Sequence, residues 1–90
     1  MSALFSSQQH AATPGALRQL DALNYPPQLL LSRHFSGDWL EMDAHDIEAN
    51  RFALREGLRV LSSYTISACR FWVITEADRS VTTILLPSEY

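Results

Sequence analysis

His34, Asp38 and Trp39 fall within six positions of one another in a 90-residue chain. A histidine, a carboxylate and an indole donor at that spacing can form a small polar site, with His34 as acid or base. The structural alternative is a histidine at a helix C-terminus, where the dipole favours it, and a tryptophan packed beneath a loop. Glu76 and Arg79 are a second group. A carboxylate and a guanidinium can share one phosphodiester, the first taking a proton and the second steadying the phosphate. The structural alternative is a salt bridge at the turn, between Asp78 and Arg79 or between Glu76 and Arg79.

Other polar residues offer less. Asp38, Glu41, Asp43, His45, Asp46 and Glu48 crowd together with no arginine between them. They lack the central glycine and the twelfth-place glutamate of a calcium loop, and His45-Asp46 is unlike a zinc signature. A solvated, capped helix start accounts for them, so no metal and no cofactor is expected. Cys69 has Arg70 beside it, but no histidine or second cysteine stands near it in sequence to make a catalytic thiol. Asn50 lies between Ile47 and Leu54 on a stripe that should face the core. A buried amide needs partners, so Asn50 should tie its helix to a loop or to a sheet. The loop Gly37-Asp38-Trp39 is the expected partner, which makes Asp38, Trp39 and Asn50 a loop-organising cluster.

The elements that must position these residues are legible. Residues 1–12 carry few bulky apolar side chains and read as a flexible tail, leaving 13–90 as one domain. Thr13-Pro14 opens a helix with leucines at 17, 20 and 23, and Asn24 can end it. Tyr25-Pro26-Pro27 breaks the chain. A second helix runs from Pro27 to about Phe35, with Gly37 as its stop. Asp43 caps a third that ends at Gly57. After Gly57 the period changes. Residues 59–66, 71–76 and 81–86 are short and rich in β-branched and aromatic types, with hairpin-length gaps. The expectation is α+β: two or three N-terminal helices, then a three-stranded antiparallel meander.

Alternation sorts the strand residues onto two faces if Ile66 stands opposite Phe71 and Thr75 opposite Thr82. One face takes Val60, Ser62, Tyr64, Ile66, Phe71, Val73, Thr75, Thr82, Ile84 and Leu86. The other takes Leu61, Trp72, Ile74, Val81 and Leu85 among polar neighbours. Helices can cover one face; the second needs the tail, a helix wrapping round, or another subunit. Trp72, Ile74 and Leu85 are therefore the expected interaction surface, for a protein partner or for self-association.

Hydrophobic residues make up 47% of the chain and charged residues 19%, which excludes disorder. A net charge of −3 argues against nucleic acid as a partner. The longest apolar run is Leu29-Leu30-Leu31, too short for a membrane span. One cysteine excludes a disulfide-stapled domain, and the first ten residues lack a signal pattern, so a cytoplasmic setting is expected.

From Arg33 onward the sequence resembles a family of small proteins carried on plasmids and integrative elements. The matching residues are Arg33-His34, Gly37-Asp38-Trp39, Asn50 and the run from Gly57 to Tyr64. The strongest match is the stretch from Trp72 to Tyr90. Some members of that family are labelled modification subunits of type I restriction systems. The label does not fit this chain. A methyltransferase needs a Rossmann-like domain, a glycine-rich loop and an Asn-Pro-Pro-Tyr type motif. Here three glycines stand far apart, and Tyr25-Pro26-Pro27 is not that motif. The resemblance implies a mobile-element setting and brings no activity with it. A non-enzymatic accessory protein acting by protein contact is the leading expectation. The alternative is a metal-free toxin-type ribonuclease of barnase or RelE character, for which His34, Glu76 and Arg79 would have to converge.

Overall fold

The computed structural model describes residues 3–90; Met1 and Ser2, part of the expected tail, lie outside it. Strand β1 (Gln9–Ala12) is followed by helices α1 (Pro14–Ala22), α2 (Pro27–Phe35) and α3 (Ala44–Glu56). Strands β2 (Val60–Ile66), β3 (Cys69–Thr75) and β4 (Val81–Leu85) come next, then a 3-10 turn at Pro87–Glu89. The class is α+β. The sheet, however, is four-stranded and mixed, in the order β1-β4-β3-β2.

That order corrects the expected three-stranded meander. β2, β3 and β4 are antiparallel, but β1 adds parallel to β4, with Gln9 opposite Val81 and Ala12 opposite Ile84. Residues 9–12, expected within a flexible tail, are therefore the fourth strand. Their side chains gave no strand signal because the pairing is made by backbone: Gln9 N–H donates to Ser80 O and Thr13 N–H to Ile84 O, at 3.0 and 2.9 Å. Upstream, Leu4 N–H donates to Phe35 O at 2.7 Å, and the Phe5 ring meets His34 and Phe35 edge-on.

The helix signals act as read. The Thr13 side chain accepts from Ala16 N–H with Pro14 at the first helical position, and Asp43 accepts from Asp46 N–H. Gly57 closes α3 at φ 68°, a left-handed conformation that suits glycine. The first hairpin is tighter than expected. Ser67 and Ala68 form a two-residue turn, both at positive φ, so Ile66 stands opposite Cys69 and Tyr64 opposite Phe71. The shift is two residues, and two residues is one full period of alternation. Every side chain therefore keeps its assigned face.

The inner face packs under the helices. Tyr64, Phe71, Val73 and Ile84 meet Ala16, Leu20 and Leu30 of α1 and α2. Val60, Trp39 and Ala53 form a second cluster beneath α3. The accessible surface is 5404 Å², close to the roughly 5,300 Å² expected for a folded monomer of this mass, so the chain closes its core alone.

Candidate functional site

His34 ends on α2 with its ring wholly buried. Nδ1 lies 2.6 Å from Ser62 Oγ and Nε2 2.8 Å from Thr75 Oγ1. Three further contacts extend the pair into a chain. Trp39 Nε1 donates to Ser62 Oγ at 2.7 Å; Thr75 and Thr82 hydroxyls are 2.7 Å apart; Thr82 and Ser7 hydroxyls are also 2.7 Å apart. Ser7 Oγ then donates to Gln9 O at 3.0 Å. The Gln9 end fixes the direction, because a carbonyl can only accept and each hydroxyl has one proton to give. His34 Nε2–H therefore donates to Thr75, and a neutral ring accepts from Ser62 at Nδ1. The hydroxyls of Thr75 and Thr82 pass the sense on to Ser7. Each hydroxyl then donates once and accepts once around a neutral imidazole. Burial, with the Arg79 charge adding to it, pushes the His34 pKa down to about 3.

Of the ribonuclease trio, His34 is thus closed off by two hydroxyls. Arg79 is turned onto backbone. Its guanidinium donates to Leu58 O at 2.7 Å and, at 3.2–3.4 Å, to Glu76 O, Ala77 O and Ala53 O. It thereby docks the β3–β4 hairpin on the C-terminal end of α3, where carbonyls favour a cation. The Glu76 carboxylate faces Arg59, 3.6 Å away. With His34 wholly buried, the three groups do not meet in an open cleft among the described residues.

The expected cluster of Asp38, Trp39 and Asn50 also separates. Asp38 pairs with Arg33 at 2.8 Å, and its backbone carbonyl accepts from Tyr64 Oη at 2.8 Å. Burial pushes that phenol up to about 12, which keeps it a donor. Trp39 enters the core. Asn50 ties helix to sheet rather than to the Gly37 loop: its Nδ2 donates to Leu61 O at 2.7 Å, and its Oδ1 accepts from Leu61 N–H at 3.2 Å. The amide copies a neighbouring strand.

This copying matters because β2 is an edge strand. In its alternation the backbone groups of Leu61, Ser63 and Thr65 point away from β3. Asn50 takes both groups of Leu61, and Glu41 Oε1 accepts from Thr65 N–H at 2.9 Å. The opposite edge differs. In β1 the groups of Gln9 and Ala11 point to β4, so those of His10 and Ala12 point outward. His10 and Ala11 are exposed, and residues 8–12 hold no formal charge, proline or bulky aliphatic side chain to guard the edge.

The expected interaction face is largely covered. Ile74 and Leu85 are 4% and 6% exposed. The Tyr90 ring stands edge-on to Trp72 at 5.6 Å between centroids, and Arg59 donates to its hydroxyl at 2.8 Å. Asp43, His45 and Asp46 bring ligand-type atoms within 4.8 Å of one another on exposed side chains, with one Asp43 oxygen used for the helix cap.

Sequence reasoning missed Ser7, Glu41 and the outward groups of His10 and Ala12. For the buried chain the signal was present: Ser62, Thr75 and Thr82 all fall on the inner face, and three hydroxyls there require a polar partner. For β1 no side-chain signal existed. No helix among the described residues is long and apolar enough to cross a membrane. Compared with protein-family models, with curated proteins and with solved structures, the chain has no match.

Proposed function

We propose that this is a small accessory protein of a mobile genetic element that works by protein–protein contact rather than catalysis, taking a partner's strand along β1. One observation carries the reading: the two sheet edges are treated differently. Side chains take both outward groups of Leu61 and the outward N–H of Thr65 on β2, while among the described residues nothing takes those of His10 and Ala12 on β1. Strand addition uses such an edge, with main-chain hydrogen bonds giving affinity. The spending of His34 and Arg79 on structural bonds supports the same choice over RNA cleavage. The resemblance of the C-terminal two-thirds to plasmid-borne proteins supports the setting.

In-cell photocrosslinking tests this. A photoreactive residue placed at position 11 should yield a discrete protein adduct. The same residue at position 65, on the guarded edge, should not. No adduct at 11, or equal adducts at both positions, overturns the proposal. Growth arrest with RNA cleavage, lost in His34→Ala and Arg79→Ala, would restore the ribonuclease.

A further inference from the structure

We infer that the strand received along β1 is β1 of a second copy, paired antiparallel about a two-fold axis at Ala11; this rests on the reading of β1 as the open edge. The outward groups come from His10 and Ala12. With Ala11 opposite Ala11 of the second copy, His10 stands opposite Ala12 on both sides of the axis. Each such pair exchanges two N–H···O bonds, so one register satisfies every outward group of both strands. A two-fold contact demands this self-complementarity.

Three further features fit a second copy better than a foreign segment. The side chain at the axis is a methyl group, and Gln8-Gln9-His10-Ala11-Ala12 is formally uncharged, so like charges do not meet there. The strand is only four residues long. A disordered peptide would pay ordering entropy for a handful of backbone bonds, whereas a second β1 arrives already held by β4. Beside β1 on the inner side runs a groove of about 250 Å³ lined by Leu17, Pro27 and Leu31, with Leu17 47% exposed. The two-fold axis brings the grooves of the two copies side by side and adds apolar burial to the backbone pairing. Assembly also stops at two. The eight-stranded sheet so formed ends on both sides at β2, where Asn50 and Glu41 stand.

The test is sedimentation of the purified protein with a charge swap at the axis. Wild type should shift toward twice the monomer mass as its concentration rises. Ala11→Lys and Ala11→Glu should each remain at monomer mass with unchanged circular dichroism, because residue 11 is exposed and keeps its bonds to β4. An equimolar mixture of the two should recover the doubled mass, at about tenfold lower concentration than either variant alone. A wild type that stays monomeric at millimolar concentration overturns the inference. So do variants that associate as wild type does, or a mixture that associates no better than its parts. Should wild type be monomeric while the in-cell adduct at position 11 has a mass other than twice the chain, the open edge stands and self-pairing falls. Failure of both sinks both.

Discussion

The two edges of the sheet face the same physical problem and meet it in opposite ways. An edge strand presents backbone donors and acceptors on every second residue. At β2, a helix brings an amide that fits Leu61 as another strand would, and a loop carboxylate takes the next outward N–H but one. At β1, formally uncharged side chains leave the outward groups of His10 and Ala12 without a partner among the described residues. The difference teaches where this molecule is built to stay alone and where it is built to join. Between the edges runs the buried chain, from Ser62 on β2 through His34, Thr75 and Thr82 to Ser7 and Gln9. It spans the sheet from the guarded side to the open one.

The largest expected effect comes from cutting that chain. His34→Leu leaves the Ser62 and Thr75 hydroxyls without their shared partner in the interior and should cost about 3–4 kcal/mol in urea unfolding. Loss of less than ~1 kcal/mol would mean that the two hydroxyls are satisfied without His34.

Acid should weaken the same link in the intact protein. The unfolded imidazole binds a proton near pH 6.5, while the folded one refuses it until about 3. Between those values the unfolded state holds more protons, so stability is complete above pH 6.5. It falls on acidification by about 1.4 kcal/mol per pH unit from this group. The slope difference between wild type and His34→Gln over that window isolates the contribution, since the carboxylates are common to both. Equal slopes would refute the neutral, buried assignment.

Asn50→Ala opens the guarded edge. Leu61 loses a partner for both its N–H and its C=O, a cost of about 2 kcal/mol, and the variant should self-associate through β2 where wild type does not. Glu41→Ala removes one exposed bond to Thr65 and should cost only about 0.5–1 kcal/mol. The last change, of similar size, is a gain. Ala68 sits at φ 66°, which penalises a Cβ, so Ala68→Gly should raise stability by about 1 kcal/mol while leaving both edges untouched.

What the sequence disclosed, and what it hid, follows the same divide. Helix bounds came from local capping: Thr13, Pro14, Asp43 and Gly57 each act within a turn of themselves. The sheet faces came through intact although the first hairpin pairs Ile66 with Cys69, because alternation is insensitive to a two-residue slip. Ser67-Ala68 contains no glycine or asparagine, so nothing local announced the tight turn. Asn50 was legible as a buried amide needing partners, but its partner, Leu61, is fixed by tertiary packing. β1 was hidden altogether. Gln9-His10-Ala11-Ala12 has no β-branched residue, and its place is set by backbone bonds to a strand some seventy positions later.

Residue-resolved amide exchange on a dilute, monomeric sample tests the central contrast most directly. The Leu61 and Thr65 amides should be protected, and Ser63, outward on the same strand, serves as the unguarded control. On β1, Gln9 and Ala11 should be protected by β4, while His10 and Ala12 exchange freely. Protection of His10 and Ala12 in the monomer, or exchange of Leu61 as fast as that of Ser63, would contradict the account of one guarded and one open edge.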